Sequence, residues 1–167
     1  MIPIYKPYMP LDISSEVSEI LYSGQLGFGK YGRQFESQLQ SFIGCAYLLS
    51  VSSYNTAMQI VLTTLDLKPG DEIIASPVSC LASNQPFAVK GLIVIWADIN
   101  PETGTLCPQD VEKRITSATK AIFHNHFCGY VGSVDAINEI GHKHGIPVID
   151  DGIEAFGSEY KGNTLGN

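Results

Sequence analysis

The sequence predicts an α/β fold, a mostly parallel sheet with helices on both faces. Three observations support this prediction. From about residue 47 onward, apolar segments of strand length alternate with segments of helix length, which is the pattern of crossover units on a parallel sheet. The strand segments are apolar throughout, as expected when both faces of a sheet are covered. Proline and glycine stand at several predicted helix starts and ends.

Two helices are predicted ahead of the alternating region. The first runs from a cap at Asp12 or Ser14 to about Tyr22, and the second is amphipathic and covers about 33–42. The loop between them, residues 27–32, has the literal spacing GxGxxG. Because a helix and not a strand precedes it, we interpret this segment as a flexible loop and not as a dinucleotide-binding fingerprint.

The remaining elements follow in alternation. Strands are predicted at about 47–51, 72–75, 92–97, 121–124 and 147–150. Helices are predicted at about 56–65, 81–89, 108–115 and 134–144. A short extended piece with turn residues comes after Asp151, and a sheet ending there would expose an apolar edge. We therefore expect residues 1–167 to be the front part of a larger domain.

Composition excludes several classes of function. The chain of 167 residues has 10 Lys and Arg against 17 Asp and Glu, a net charge of −7, which disfavours nucleic acid or an anionic membrane as partner. No apolar run approaches the ~18 residues of a membrane span, and the N-terminus lacks the pattern of a signal peptide. The four cysteines lie far apart, which favours reduced thiols and a cytoplasmic location.

Ligands of open parallel sheets bind beyond the carboxyl ends of the strands, so the residues after each strand are candidates. Ser52 to Thr56 follow the first predicted strand and begin a helix. Small hydroxyl and amide side chains at a helix N-terminus can hold a phosphate, and they can equally form a plain helix cap. The spacing alone leaves both interpretations open.

Two adjacent acids, Asp150 and Asp151, end the fifth predicted strand. Neighbouring strand residues face opposite sides, so one of the two is expected to face the ligand crevice. A salt bridge to a protonated cofactor nitrogen, a magnesium or ribose contact, and a solvated turn all fit the spacing. A phosphoribosyl-binding loop fits poorly, because residues 152–156 lack the threonines and glycines of a phosphate cradle.

Histidines surround the end of the fourth predicted strand. His124 and His126, followed by Cys128, could place ligand atoms on one side of that strand. The sequence has no second cluster of ligand residues to complete a zinc site, so buried or strand-end histidines are the better interpretation. No metal site is predicted.

Six segments, taken in order, carry a family resemblance. They are residues 23–36, 51–57, 68–74, 97–103, 119–129 and 145–151. The set resembles the DegT/DnrJ-type sugar aminotransferases, which are pyridoxal-phosphate enzymes of the aspartate-aminotransferase-like fold, fold type I. The resemblance covers nearly the whole chain, and it is the ordered set that is specific, since no single segment is decisive.

The resemblance implies roles for several residues. Asn55 and Thr56, with the backbone of Tyr54, would hold the cofactor phosphate at a helix N-terminus. Asp151 would pair with the pyridine nitrogen of pyridoxal 5'-phosphate and keep it protonated, so that the ring can accept electrons.

Three positions near the implied cofactor depart from the family pattern. Cys80 falls where many members have an aromatic that stacks on the cofactor ring, and Glu154 falls where Gln or His is usual. Tyr54 replaces the loop glycine, so its side chain is expected to point away from the phosphate.

The implied function belongs to the complete protein. It would transfer an amino group from a donor such as glutamate to a keto-sugar, linked to a nucleotide, in sugar or polysaccharide biosynthesis, as a homodimer. The family's Schiff-base lysine is expected beyond Asn167, together with the small C-terminal domain, so this chain alone is expected to be inactive. A sugar dehydratase of the same fold, with histidine at the lysine position, and a non-catalytic remnant or binding module are the alternatives.

Overall fold

The computed structural model describes residue 2 and residues 6–167, so part of the stretch assessed for a signal peptide lies outside the described residues. The described residues form six α-helices, which are α1 Ile13–Tyr22, α2 Lys30–Ile43, α3 Tyr54–Thr64, α4 Leu81–Lys90, α5 Pro108–Arg114 and α6 Val134–His144. Six strands are β1 Glu72–Ala75, β2 Ile93–Trp96, β3 Thr119–Asn125, β4 Val148–Asp151, β5 Glu159–Tyr160 and β6 Asn163–Thr164. A short 3₁₀ turn, Phe127–Gly129, follows β3.

The first four strands form one parallel sheet in the order β2-β1-β3-β4. Helices connect the consecutive strands, as parallel pairing requires. The predicted α/β class is therefore confirmed. Strands β5 and β6 form a separate antiparallel hairpin whose turn has Lys161 and Gly162 in the left-handed region, the conformation that favours a two-residue hairpin turn.

Apolar side chains cover both faces of the sheet, as the uninterrupted apolar strands predicted. On β1, Ile73 and Ala75 join one core and Ile74 joins the other. The first core is closed by α3 and α4 with residues that include Met58, Leu62 and Phe87, and the second by α5 and α6 with residues that include Val111, Ile137 and Ile140. Each fully buried side chain of this size contributes about 1.5–3 kcal/mol of burial free energy.

The predicted strand at 47–51 is wrong. These residues run without a pairing partner among the described part of the chain, and the sheet starts at β1. A β-strand requires a neighbouring ladder, and here the backbone N–H and the hydroxyl of Ser50 instead donate to Oε1 of Glu36 on α2, both at 2.7 Å. Apolar composition predicted a buried strand, but composition cannot show whether a neighbouring strand is there to pair with it.

The glycine-rich loop at 27–32 is shorter than expected, because α2 begins at Lys30. Gly32 therefore lies inside the first turn of the helix. A Cβ at this position would lie 2.7 Å from the ring of Phe28, so the absence of a side chain lets that ring pack against the turn. Within the described residues, no helix combines the length and the apolar character needed to cross a membrane.

Candidate functional site

A cavity of about 230 Å³ lies beyond the carboxyl ends of β3 and β4. Its position agrees with the rule that ligands of parallel sheets bind at that edge. The N-terminal ends of α3 and α4 close it from one side, and the segment after β4 closes it from the other. The residues that line it are Tyr54, Cys80, Ala82, Ser83, Asn125, His126, Asp151, Ile153 and Glu154.

Asp151 is the charged group at the centre of this arrangement, and it is 8% exposed. Its Oδ2 accepts a hydrogen bond from the Tyr54 hydroxyl at 3.0 Å and one from the Ser83 hydroxyl at 3.4 Å. Its Oδ1 accepts from the backbone N–H of Ile153 at 3.2 Å. Three donors therefore hold a buried carboxylate in one orientation, which offsets the cost of removing its charge from water.

Tyr54 is the first residue of α3, and its side chain reaches Asp151 in the cavity. Burial raises the pKa of the Tyr54 hydroxyl well above its usual value, and the negative charge of Asp151 raises it further. The phenol is therefore a neutral hydrogen-bond donor across the physiological range. The sequence predicts that this side chain points away from a phosphate, and in the structure it points to the carboxylate of Asp151.

The N-terminus of α3 is closed by a side-chain cap. Ser53 has an extended backbone, and its hydroxyl accepts a hydrogen bond from the N–H of Thr56 at 3.1 Å. The Ser53 and Thr56 hydroxyls lie 2.9 Å apart. Of the two interpretations left open by the spacing, the helix cap is thus present. Asn55 and Thr56 are exposed and lie outside the cavity lining, so the predicted phosphate contact stays a prediction.

The two predicted residues near the cofactor ring both line the cavity. Cys80 immediately precedes α4, with an exposed side chain. Glu154 follows β4, and its Oε2 accepts a hydrogen bond from the backbone N–H of Cys128 at 2.8 Å. The Cys128 backbone is in the left-handed region with φ of 54°, so the carboxylate of Glu154 stabilises a strained turn.

The second acid of the pair, Asp150, faces the opposite side of the sheet from Asp151. Its Oδ1 lies 3.0 Å from Nδ1 of His124 and 3.4 Å from Nε2 of His126, and both histidine side chains are fully buried. Burial by itself would raise the pKa of Asp150, but the interactions with the two histidines outweigh it and hold the pKa well below its usual range. The prediction of buried strand-end histidines is thus confirmed.

This cluster brings together three atoms of the types that ligate metals, all within 4.8 Å of one another. The backbone N–H of Gly132 donates to Nδ1 of His126 at 3.1 Å. An acceptor role for Nδ1 places the ring proton on Nε2, and a protonated nitrogen has no lone pair for a metal. The Gly132 contact therefore disfavours His126 as a metal ligand through Nε2, an atom that is buried without a hydrogen-bond partner among the described residues.

Several lining residues, among them Asn125 and Ser83, went unpredicted, and His126 was interpreted only as a buried or strand-end histidine. Asn125 and His126 end β3 and follow it directly, next to Asp151 across the sheet. The side-chain amide of Asn125 donates to the carbonyl of Val78 at 3.1 Å, while its Oδ1 is buried without a partner among the described residues. A buried acceptor beside a cavity can be satisfied by a donor on a ligand. Ser83 is 68 residues from Asp151 in the sequence, so only the three-dimensional structure shows that the two side chains meet.

Comparisons with known proteins agree with this geometry. Residues 8–167 match the DegT/DnrJ/EryC1/StrS aminotransferase family. The chain is 37% identical over 155 residues to UDP-2-acetamido-2-deoxy-3-oxo-D-glucuronate aminotransferase of Pseudomonas aeruginosa, covering 93% of this chain and 43% of that protein.

Two solved structures have the same fold over nearly the whole chain. An aminotransferase from Psychrobacter cryohalolentis has a TM-score of 0.91 and 29% identity, covering 96% of this chain and 41% of that one. A GDP-4-keto-6-deoxymannose-3-dehydratase with a trapped PLP-glutamate geminal diamine has a TM-score of 0.90 and 27% identity, covering 99% of this chain and 44% of that one. The chain thus spans less than half the length of these relatives.

Proposed function

This chain belongs to the DegT/DnrJ/EryC1/StrS aminotransferase family, and we propose that the whole protein transfers an amino group to a nucleotide-linked keto-sugar with pyridoxal 5'-phosphate as cofactor. One observation carries the proposal. A buried carboxylate, that of Asp151, faces a cavity that also has Tyr54, Cys80 and Glu154 in its lining. The 37% identity to an aminotransferase of a UDP-sugar supports the substrate class.

The residues present suit this cofactor. Asp151 is buried and negative, which favours a protonated ring nitrogen beside it. The unpartnered Oδ1 of Asn125 suits a hydrogen-bond donor on the ligand. When bound, pyridoxal phosphate supplies a ring that accepts electrons from the substrate. The first turn of α3 offers backbone N–H groups and the positive end of the helix dipole to the phosphate, beside Asn55 and Thr56.

The residues of this chain would then orient the bound cofactor and stabilise its position. Asp151 would accept a hydrogen bond from the protonated ring nitrogen, and Ser83 and the N–H of Ile153 would fix the direction of its carboxylate. Cys80 would contact a ring face through its polarizable sulfur. Glu154, held by the Cys128 N–H, would line the ring edge of the cavity.

The catalytic lysine belongs to the part of the protein that we place beyond Asn167, and we infer that residues 1–167 alone do not transaminate. A small C-terminal domain, a homodimer with the site at its interface, and a cytoplasmic location complete the proposal. The coverage of 43% of the curated relative supports a longer whole protein.

A dehydratase is the second candidate. The similarity to GDP-4-keto-6-deoxymannose-3-dehydratase, at a TM-score of 0.90, favours it about as much as the similarity to the Psychrobacter enzyme favours transfer. The cavity residues do not separate the two reactions, because both need the same cofactor site.

The experiment expresses the whole protein and incubates it with pyridoxal phosphate, glutamate and a UDP-linked keto-sugar. Mass spectrometry of the product distinguishes the candidates. An amino-sugar with consumption of glutamate supports the transferase, and a deoxy-sugar without added nitrogen supports the dehydratase. Absence of cofactor binding in a dialysis assay would contradict both.

A further inference from the structure

The cavity beyond β3 and β4 is lined by negative charge. Asp151 and Glu154 are the two acidic residues of its lining, which includes no lysine or arginine among the described residues. A cavity of about 230 Å³ is comparable to a sphere about 8 Å across, and this diameter is close to the Debye length at physiological ionic strength. A charged group bound inside therefore interacts with both carboxylates.

The hydroxyl and amide donors of the lining are already used within the protein. The hydroxyls of Tyr54 and Ser83 both donate to Oδ2 of Asp151. The side-chain amide of Asn125 donates to a backbone carbonyl in the loop before α4. Each of these groups has thus turned its proton toward a protein acceptor and not toward the cavity.

Two further residues of the lining carry a side-chain proton. The proton of His126 is on Nε2, because Nδ1 accepts from a backbone N–H, and this Nε2 is buried 3.4 Å from Oδ1 of Asp150. The Cys80 thiol is exposed, and a thiol is a weak donor. Neither residue adds a strong donor to the cavity.

Three acceptors of the lining keep room for a further hydrogen bond. Oδ1 of Asp151 accepts from the N–H of Ile153, and a carboxylate oxygen accepts about two bonds. Oε2 of Glu154 accepts from the N–H of Cys128, while its Oε1 accepts from none of the described residues. Asn125 is 4% exposed, and its Oδ1 has no partner in the described part of the chain. This lining suits a ligand that brings donors and positive charge.

We propose that Glu154 is a specificity residue, whose negative charge makes the cavity prefer the amine form of the cofactor, pyridoxamine 5'-phosphate. This inference rests on the proposed function, which assigns Asp151 to the ring nitrogen. The amine form has a second positive group, since an aliphatic amine is protonated near neutral pH, as a lysine amine is. Glu154 is the remaining carboxylate of the lining for that charge.

Glu154 also has a structural contact, which the test must hold constant. Its Oε2 accepts the backbone N–H of Cys128, whose φ of 54° lies in the left-handed region. A glutamine has a carbonyl oxygen at the same position and can accept the same hydrogen bond. Glu154→Gln therefore removes the charge and keeps the acceptor.

The test compares two ligands of the whole protein by isothermal titration calorimetry. Pyridoxamine 5'-phosphate and pyridoxine 5'-phosphate have the same ring nitrogen and phosphate, and they differ in an amine against a hydroxyl. Neither has an aldehyde that reacts with lysines. The amine preference is the dissociation constant of the hydroxyl form divided by that of the amine form. It is measured for wild type, Glu154→Gln and the control Glu159→Gln, whose residue is exposed on β5 outside the cavity lining.

The amine preference of Glu154→Gln should be three- to fivefold lower than that of wild type. Glu154 is exposed, and a fivefold change corresponds to about 1 kcal/mol, the upper value for an exposed charge pair. Glu159→Gln should keep the wild-type preference. A merely structural role for Glu154 would weaken the binding of both ligands equally and leave the preference unchanged.

A second measurement needs no variant. The amine preference of wild type should fall as the salt concentration is raised from roughly 0.02 to 0.5 M, because salt screens the attraction between the amine and the carboxylate. The phosphate and the ring nitrogen are common to both ligands, so their own salt dependence cancels in the preference.

The outcomes separate the inference from the function on which it rests. An equal amine preference in Glu154→Gln and wild type overturns the inference alone. So does a wild type that prefers the hydroxyl form, or a preference that salt does not change. Absence of binding of both ligands by the wild type overturns the proposed function and the inference with it.

Discussion

His124 and Asp150 lie directly opposite each other on neighbouring parallel strands, with Nδ1 of the histidine 3.0 Å from Oδ1 of the acid. The next pair along the same strands, Asn125 and Asp151, faces the cavity on the other side of the sheet. The two consecutive acids, Asp150 and Asp151, thus have different roles. Asp150 forms a hydrogen bond with Nδ1 of the buried His124, and Asp151 presents its charge to the cavity.

Asp150 should contribute to the stability of the folded protein. Replacing it by Asn leaves two buried imidazoles without their charged acceptor, so Asp150→Asn should lower the free energy of unfolding by about 2 kcal/mol at neutral pH. Urea denaturation measures this. Asp135→Asn is the matched control, because Asp135 is exposed in an ion pair with Lys161 and should cost much less. Equal losses in the two variants would contradict the account.

The contact of Asp150 with the histidines also predicts that the free energy of unfolding depends on pH in the acid range. The pKa of Asp150 is lowered in the folded protein, so its contribution is complete above its unfolded value of 3.8 and is lost as the pH falls through the folded value. The stability difference between wild type and Asp150→Asn should therefore shrink as the pH is lowered from 4 toward 2. A difference that stays constant over that range would show that the carboxylate charge plays no part.

Gly132 should tolerate no side chain. A Cβ there would lie 2.3 Å from Nε2 of His124 and 2.7 Å from Oγ1 of Thr105, and both of those residues are buried. Gly132→Ala should therefore lower the free energy of unfolding by about 2 kcal/mol through overpacking. Gly27→Ala is the control, because a Cβ at Gly27 meets nothing within 4 Å. Thermal denaturation compares the stability of the two variants. A Gly132→Ala variant as stable as the wild type would refute the packing described for the histidines.

The Tyr54 hydroxyl predicts that the free energy of unfolding falls at alkaline pH, whereas the Asp150 contact predicts a fall at acid pH. Its pKa is raised in the folded protein by burial and by Asp151, so its contribution is complete below its ordinary value of 10.0 and is lost as the pH rises through the folded value. Between pH 9 and 11 the wild type should lose stability that Tyr54→Phe, which has no ionisable group, does not lose. Parallel urea curves at the two pH values measure this. Identical losses would mean that the hydroxyl is not held as described.

Much of the fold could be predicted because local patterns and the sheet agree. The predicted bounds of β1 and α6 match the structure, since turns and glycines delimit both elements clearly. The strand at 47–51 failed because apolar composition cannot show whether a neighbouring strand exists. The length of α2 was underestimated because Gly27 to Gly32 suggested a loop, although glycine also fits a helix where a ring packs closely.

The site was predictable in part for the same reason. The period of two along a strand divides Asp150 from Asp151, so the sequence could place one acid in the crevice. It could not tell which acid, and the resemblance to a family supplied the choice of Asp151. The bond from Tyr54 to Asp151 joins positions 97 residues apart, and the register of β3 against β4 pairs His124 with Asp150. Such contacts depend on packing, which no local pattern encodes.

The most direct test of the central claim compares the affinity of the whole protein for pyridoxamine 5'-phosphate before and after Asp151→Asn, with Asp135→Asn as control. If Asp151 holds the cofactor ring nitrogen, the loss of its charge should weaken binding at least about tenfold, the factor expected for a hydrogen bond to a charged group. The control should bind as wild type does. Equal affinity of Asp151→Asn and wild type would show that the cavity is not the cofactor site.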